Sequence, residues 1–448
     1  MDRENIGRIK RVIRLSSDGL FIDERWILAV GVHTHPMSKT SISMRRHYYA
    51  ALRYYLMKAE NSEYIEKALL IYQRKLELCN EMIPEDIQES KKRVLGHSFL
   101  HSGKNRYKEF LCCDLALILF NKRKFICACT ALIDDCSRKQ GEKLKRLLRI
   151  LFRSQSVLSE FPKCEGMIRR YWGECYFLKL PFRKLMVTAT MSAGKSTLIN
   201  ALIGKNIVRT SQECCTGNIT YICEKDSEDG KTAVYKDEIY LDASSQVLQS
   251  IDWEKPYSIF TAYRRLLPSK YKLCVMDTPG VNSALNNEHV EISREAIRRG
   301  KYDFLIYIMG QPGAEDEMEH LKWIAENVPK KKVIFVLNKV DNYKKEDSIE
   351  GSLFSFREDL MELGFENPEI FPLSAYYALL LKRKENGEFL TEDESDEYEL
   401  YSKKFRKAEY DLSRHTGVEG FPDDSEYIEL SKKCGIFALE QKIYGGKI

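Results

Sequence analysis

Residues 185–199, Leu-Met-Val-Thr-Ala-Thr-Met-Ser-Ala-Gly-Lys-Ser-Thr-Leu-Ile, are the stretch from which the fold of this chain can be worked out. The stretch begins with an apolar run typical of a buried strand and ends with the spacing of an amphipathic helix. A tight turn around Gly194 and Lys195 separates the two. A strand, a turn and a helix in this order are the layout of a loop that binds phosphate groups.

The side chains of this loop suit that task. In such loops a lysine ammonium meets the β and γ phosphate oxygens and a hydroxyl binds Mg²⁺, and these roles fall to Lys195 and Ser196. Ala189 stands where the pattern G-x-x-x-x-G-K-[ST] has its first glycine, and a methyl group fits there if φ is negative. We expect the nucleotide to contact the segment Ser192, Ala193, Gly194, Lys195, Ser196 and Thr197.

Charge is distributed unevenly along the 448 residues, which are enough for two or three domains. Residues 1–180 contain 34 basic and 21 acidic side chains, a net charge of +13, whereas the remainder has −8. A basic region suits an anionic partner such as a membrane surface or, as a weaker option, nucleic acid, although a solvated helical face explains it equally simply.

The cysteines and the N-terminus indicate the cellular compartment of the protein. The 13 cysteines have no paired C-x-x-C spacing of a zinc site, so we interpret them as reduced, buried thiols. The charged N-terminus lacks the apolar segment of a secretory signal. These features predict a cytoplasmic protein, with peripheral contact to a membrane as a further option.

The pattern of apolar residues divides the chain near residue 180. Residues 44–158 show helical spacing, and the apolar runs 110–120 and 125–133, each too short to span a bilayer, predict a helical hairpin. We therefore predict a basic, mainly helical domain over 1–180, and a second domain over 181–448 with an acidic, mobile insertion near 385–400.

Strands alternate with helices in the second domain. Helices are expected to begin near Lys195, Ser245, Glu288, Asp316 and Asp347. Nearly continuous apolar strands alternating with helices predict an α/β fold with a mainly parallel sheet covered on both faces. The predicted strands are Lys184–Ala189, Ile219–Glu224, Tyr271–Asp277, Phe304–Met309, Lys332–Leu337 and Ile370–Leu373.

Polar residues follow two of these strands. Asp277 ends one strand and begins Asp-Thr-Pro-Gly, so its carboxylate is expected to hold Mg²⁺ through water while the Gly280 N–H meets the γ-phosphate. Another strand runs into Asn338-Lys339-Val340-Asp341. The Asp341 carboxylate can accept two hydrogen bonds from the N1–H and N2 amino groups of guanine, a donor pair that adenine lacks.

Further elements complete a guanine-nucleotide site. We expect Asn338 to tie its loop to the phosphate loop, Lys339 to lie along the base, and the N–H groups of Ser374 and Ala375 to approach the guanine O6. Between residues 212 and 220, Thr216 is the chosen ligand for Mg²⁺ and the γ-phosphate, with Thr220 as the alternative.

Three segments together resemble the dynamin family, especially its bacterial branch. They are residues 192–200 (Ser-Ala-Gly-Lys-Ser-Thr-Leu-Ile-Asn), 277–283 (Asp-Thr-Pro-Gly-Val-Asn-Ser) and 338–341. The resemblance covers roughly residues 181–448 and implies a P-loop GTPase domain that hydrolyses GTP to GDP and phosphate, switches conformation, and dimerises across its nucleotide faces. It also implies that Ser192 holds a charge-compensating cation beside the phosphates and that Thr216 orients the attacking water, so Lys195, Ser192 and Thr216 form the expected catalytic set.

The chain departs from the family at Ala189, which replaces the first P-loop glycine, and at Met191, which stands where eukaryotic members have a catalytic glutamine and bacterial members often have an apolar residue. If residues 434–448 are the last helix of the GTPase domain, family members continue beyond this point into a helical stalk and a membrane-binding tip. A protein partner that supplies stalk helices is therefore one hypothesis. The alternative to an efficient GTPase is a GTP-dependent interaction module with little hydrolysis, in which the basic helical domain contacts a protein, a membrane surface or nucleic acid.

Overall fold

A computed structural model describes most of the chain and separates it into two compact units, with the change from one to the other at Leu180–Pro181. Residues 230–231 group with the first unit. The described residues are 35–96, 107–120, 122–152, 158–190, 192–209, 219–226, 228, 230–235, 239–240, 243, 248, 257–279, 287–310, 315–344, 347–417 and 425–445.

The first unit is built from helices whose ends the sequence specifies. Ser41, Ser62 and Asp86 accept hydrogen bonds from the first turns of the helices that follow them. The predicted hairpin is confirmed, because its two apolar runs lie in the neighbouring helices α4 and α5. The helices are α1 Ile42–Ala59, α2 Glu63–Lys75, α3 Ile87–Leu95, α4 Tyr107–Leu119, α5 Lys122–Asp134, α6 Arg138–Phe152 and α7 Glu165–Lys179.

A buried polar cluster lies inside the helical unit. Asp114 of α4 is fully buried. Its carboxylate accepts hydrogen bonds from Tyr48 of α1 at 2.5 Å and Tyr72 of α2 at 3.2 Å, and lies 2.9 Å from His35 Nε2. Helices α1 and α2 and the segment before α1 therefore meet at one carboxylate of α4.

The second unit contains a mixed sheet and the helices packed on it. Its strands are β1 Phe182–Ala189, β2 Thr220–Glu224, β3 Ala233–Tyr235, β4 Ile239–Tyr240, β5 Tyr257–Thr261, β6 Lys272–Asp277, β7 Phe304–Met309, β8 Val333–Leu337 and β9 Ile370–Pro372. Its helices are α8 Lys195–Ile203, α9 Asn287–Arg299, α10 Glu315–Asn327, α11 Ile349–Glu362, α12 Ala375–Glu385, α13 Glu392–Phe405, α14 Glu426–Lys433 and α15 Ile436–Tyr444.

The sheet confirms the predicted fold class. In the described residues the strand order is β4-β3-β5-β2-β6-β1-β7-β8-β9. The pairs around β1 and from β7 to β9 are parallel, and β2, β6 and β8 are buried along their whole length, as expected when helices cover both faces. All six predicted strands are present within two residues of their expected bounds.

The sheet also has features that the sequence did not indicate. β2 pairs antiparallel with β6, and β3 to β5 extend that edge. β3 and β4 have only three and two residues, too few for an apolar alternation to be recognised. The helix expected near Ser245 lies outside the described residues.

In the segment near 385–400, where a mobile acidic insertion was expected, the acidic residues form the first turns of a helix, α13. Thr391 and Glu394 form a capping box at the start of α13, and acidic side chains fill its first turn, where they face the positive end of the helix dipole. Arg383 of α12 binds the Glu394 carboxylate with two nitrogens, at 2.6 and 3.2 Å. The acidic run therefore begins a helix that packs on α12.

Two expectations from the sequence concern the cysteines and the length of the apolar segments. Seven of the eleven described cysteines are buried and all eleven are free thiols. Within the same part of the chain, each helix is too short or too polar to cross a lipid bilayer.

Candidate nucleotide-binding site

The loop between β1 and α8 has the backbone of a phosphate-binding loop. Ala189 ends β1, is fully buried and is not among the described residues with positive φ, so its methyl group fits in place of glycine. Ser192 has φ +67° and Gly194, which caps α8, has φ +94°. A non-glycine residue in the left-handed region is a strained conformation of the kind that clusters at functional sites.

Gly194 is required for two reasons. Its φ disfavours any side chain, and a Cβ built on it would lie 2.3 Å from Asn338 Nδ2. That nitrogen donates a hydrogen bond to the Ala193 carbonyl at 2.9 Å. The glycine therefore gives Asn338 the space to hold the phosphate loop.

Asn338 also contacts the loop that follows β9. It is almost fully buried, and its Oδ1 accepts the N–H of Ala375 at 3.1 Å. One side chain thus connects the phosphate loop with the predicted base-binding loop, because its amide group is both a donor and an acceptor.

Asp277 lies at the end of β6 beside the phosphate loop. It is fully buried, and Lys195 Nζ donates a hydrogen bond to its Oδ1. The Thr278 hydroxyl donates to the Val187 carbonyl of β1 at 2.9 Å, and Ser293 of α9 donates to the Pro279 carbonyl at 2.6 Å. The turn that begins at Asp277 is therefore fixed to β1 and α9.

Asp341 has an unsatisfied oxygen. Its Oδ1 is buried and has no hydrogen-bond partner in the described part of the chain. Burial raises the pKa of this carboxyl, while the Ser374 hydroxyl acts in the opposite direction. Lysine 339, with φ +63°, turns the backbone so that Asp341 follows in a short 3₁₀ helix. A buried carboxylate oxygen without a donor can accept one from a ligand.

Two contacts that hold the base-binding loops were missed from the sequence. Lys404 of α13 donates to the backbone carbonyls of Asp341, at 2.7 Å, and Tyr343. The Ser374 N–H donates to the Cys434 carbonyl at 3.1 Å, in the turn between α14 and α15. These partners are about 60 residues away along the chain, and no local motif marks them.

The predicted site residues fall into two groups. The structure brings together the phosphate-loop residues, Asp277, the Asn338–Asp341 segment and the Ser374–Ala375 turn at the carboxyl ends of β1, β6, β8 and β9. Thr216, Gly280 and Met191 lie outside the described residues. Thr220, the alternative to Thr216, lies inside β2, where its backbone pairs with Asp277.

The oxygen donors at this edge suit Mg²⁺. Lys195, whose ammonium meets the Asp277 carboxylate, is followed directly by Ser196 in the first turn of α8. A hydroxyl and a carboxylate are hard oxygen ligands of the type that Mg²⁺ uses together with phosphate oxygens. Ser196 and Asp277 would hold the ion.

The fold and the motifs at this edge define a P-loop GTPase domain. Residues 185–340 match the model of the dynamin family. A probable transmembrane GTPase, FZO-like and chloroplastic, of Arabidopsis thaliana is 27% identical over 201 residues, which are 44% of this chain and 20% of that protein. Dynamin-like protein A of Bacillus subtilis is 23% identical over 180 residues, which are 39% of this chain and 15% of that protein.

A solved structure of an oligomerised bacterial dynamin pair, described as sensing and tethering membranes over long range, has a TM-score of 0.37 and 15% identity. The match covers 98% of this chain and 76% of that one. The chain thus spans a fifth or less of the two dynamin-like curated relatives. Residues 185–340 are thus similar to the GTPase domain of the dynamin family, and the match to the family model is limited to that segment.

Proposed function

We propose that this chain binds GTP and hydrolyses it to GDP and phosphate. The observation that carries the proposal is the unsatisfied Asp341 Oδ1, held beside a phosphate loop through Asn338. Guanine offers an N1–H and an N2 amino group as donors to a carboxylate, whereas adenine has no such pair. Leaving that carboxylate unpaired is costly, so the position of Asp341 favours guanine over adenine.

Base binding has three parts in this proposal. Asp341 accepts the two donors of the guanine edge, and Lys339 lies along the face of the ring. In the structure the Ser374 N–H donates to the Cys434 carbonyl and the Ala375 N–H to Asn338 Oδ1, so these bonds fix the turn and the turn as a whole lies against the guanine O6 edge.

Phosphate binding uses the loop before α8. The N–H groups of residues 192–197 surround the phosphates at the positive end of the helix. The Lys195 ammonium meets the β and γ oxygens, while Ser196 and Asp277 hold Mg²⁺. Held by Ser196 and Asp277, a Mg²⁺ ion would neutralise negative charge on the phosphates.

Hydrolysis is attack of water on the γ-phosphorus, with cleavage of its bond to the β–γ bridging oxygen. Thr216 orients the water, and Gly280 donates its N–H to the γ-phosphate only while the triphosphate is present. Lys195 and Ser192 stabilise the charge that develops on the transferred group, Ser192 by holding a cation as the resemblance to dynamins implies.

Assembly completes the proposal. A GTPase domain of this type is expected to dimerise across its nucleotide faces, which would order the switch segments. The basic helical unit would contact an anionic membrane surface peripherally, and a protein partner would supply stalk helices. Nucleic acid is the less favoured partner.

Steady-state phosphate release tests the activity. We expect Mg²⁺-dependent release from GTP and little from ATP, with loss of at least about 100-fold in Lys195→Ala, because this substitution removes a charged donor from the phosphate site. Lys384→Ala, at the exposed end of α12, is the matched control. Tight GTP binding without turnover would instead support the interaction module, and the absence of binding would contradict both functions.

A further inference from the structure

Lys404, near the end of α13, is a half-buried lysine to which the proposed function gives no role. Its Nζ donates hydrogen bonds to the backbone carbonyls of Asp341, at 2.7 Å, and Tyr343. The same ammonium lies 4.4 Å from the centre of the Tyr410 ring. One side chain from a distant helix thus holds the turn that carries the carboxylate proposed to bind guanine.

The carbonyls that Lys404 binds lie at the end of a short 3₁₀ helix, Val340–Asn342. The N–H of Tyr343 donates to the Val340 carbonyl at 3.1 Å, which closes the turn from within. The Asp341 and Tyr343 carbonyls instead accept from the lysine. An ammonium has three N–H donors and is attracted to the carbonyl end of a helical turn, so one lysine can hold both oxygens.

The position of Lys404 is set by the packing of α13 on α12. Phe405, the next residue, is fully buried, and its ring stacks on Tyr377 of α12 with 5.3 Å between the ring centres. Helix α12 begins at Ala375, in the turn that the proposed function places against the guanine O6 edge. The helix pair α12 and α13 is therefore connected to both base-binding loops.

Holding the Asp341 carbonyl also restricts the direction of the Asp341 side chain. A peptide unit is planar, and the Cα of Asp341 belongs to the unit whose carbonyl Lys404 binds. The bond to Cβ leaves from that same Cα. Asp341 Oδ1 is buried and has no hydrogen-bond partner within the described residues, so it is available to a ligand. A carboxylate accepts two donors of one base only if its orientation is held, because hydrogen bonds weaken steeply when they are misaligned.

We propose that Lys404 is a positioning residue for guanine recognition, which holds the Asp341 and Tyr343 carbonyls so that the Asp341 carboxylate faces the N1–H and N2 amino groups of the base. This inference deepens the proposed function and rests on it, since the nucleotide must be a guanine nucleotide. Lys404 acts through Asp341 and has no contact of its own with the nucleotide. Its removal should therefore weaken selection of the base more than binding of the phosphates.

The test compares GDP with inosine diphosphate, whose base keeps the N1–H but lacks the N2 amino group. Calorimetric titration of the full chain measures both affinities. The wild-type protein should bind GDP at least about tenfold more tightly, because inosine diphosphate loses one hydrogen bond to a buried carboxylate. Lys404→Met keeps most of the apolar side chain and removes the ammonium, so it should lower this GDP preference at least about fivefold.

Two further variants control the comparison. Lys403→Met changes an exposed lysine one residue earlier on the same helix and should leave the preference within about twofold of wild type. Lys404→Gln keeps a donor on a shorter side chain and covers the case in which Lys404→Met fails to fold. It should lower the preference at least about threefold, because it cannot reach both carbonyls with a charged group.

A double variant tests whether Lys404 acts through Asp341. If it does, adding Lys404→Met to Asp341→Asn should lower GDP affinity by no more than about twofold further. Proportional losses of both affinities in the Lys404 variants, an equal change in Lys403→Met, independent losses in the double variant, or unfolding of both Lys404 variants would overturn the inference. A wild-type protein without a preference for GDP would overturn the proposed guanine site as well, so the two failures are distinguishable.

Discussion

The first, helical unit and the second unit, which begins at Pro181 and is called the GTPase unit below, both bury carboxylates, but the environments of these carboxylates differ. Asp114 of the helical unit accepts hydrogen bonds from Tyr48 and Tyr72 and contacts His35. Asp341 of the GTPase unit keeps a buried oxygen without a partner in the described residues. A carboxylate whose oxygens all have hydrogen-bond partners holds a core together, whereas one with an unpartnered oxygen in a loop after a strand is available to a ligand.

The comparison extends to the backbone. At the candidate site, Ser192, Gly194 and Lys339 have positive φ, and a Cβ built on Gly194 would lie 2.3 Å from Asn338 Nδ2. Substitutions in this region should lower nucleotide affinity more than they lower stability. Substitutions of Asp114 and its partners should lower stability more than they lower nucleotide affinity.

The largest expected effect is that of Gly194→Ala. Its Cβ would meet Asn338 Nδ2, so we expect nucleotide affinity to fall by more than about 100-fold as the phosphate loop is displaced. Gly387→Ala is the matched control, because Gly387 has φ +73° but no atom within 4 Å of a built Cβ. It should cost about 1 kcal/mol of stability and leave affinity intact. Titration with a fluorescent GDP analogue measures both, and equal losses of affinity would contradict the role given to Asn338.

Asp114→Ala should give the next largest effect. It leaves two buried hydroxyls and His35 without their acceptor, so we expect a loss of about 3–5 kcal/mol in the free energy of unfolding of the helical unit. Tyr72→Phe removes only the longest of the three contacts and should cost about 1 kcal/mol. Urea unfolding measures the loss. If GDP affinity at 25 °C fell in parallel while the protein stayed folded, the proposal that Asp114 stabilises the fold without affecting nucleotide binding would be wrong.

A smaller effect should appear as a dependence on pH. Burial, and then the nearby Arg294, lower the pKa of His320 to about 3. In the unfolded chain this imidazole takes up a proton near pH 6.5, so the unfolded state binds more protons at lower pH. Stability should therefore fall by up to about 1.4 kcal/mol for each pH unit below 6.5. Urea unfolding between pH 7.5 and 5 should show this slope, and the slope should be shallower in His320→Gln. Identical slopes would contradict a neutral, buried His320.

Many strands of the sheet and several loops of the candidate site could be predicted from the sequence, because each is encoded by residues that follow one another in the chain. The run Val333–Leu337 is continuously apolar and leads straight into Asn338, so both the strand and the loop after it are encoded in consecutive residues. The capping pattern of Thr391 and Glu394 was also local, but the density of acidic residues after it suggested a mobile insertion.

Other parts of the site depend on contacts that no local pattern contains. Lys404 reaches the Asp341 carbonyl across 63 residues, and the contact between Thr190 and Glu317 spans 127 residues. The antiparallel direction of β2 is another example, since an apolar strand has the same composition in either direction. These features are set by the way the chain packs, which becomes visible only in three dimensions.

The most direct test of the central claim is the base preference of Asp341→Asn. An asparagine offers a donor where the carboxylate accepted, which suits the carbonyl at position 2 of xanthine rather than the amino group of guanine. We expect kcat/KM for GTP to fall by at least about 100-fold and the preference to shift to xanthosine triphosphate, while the wild-type protein prefers GTP. An unchanged preference for GTP in Asp341→Asn would contradict the account.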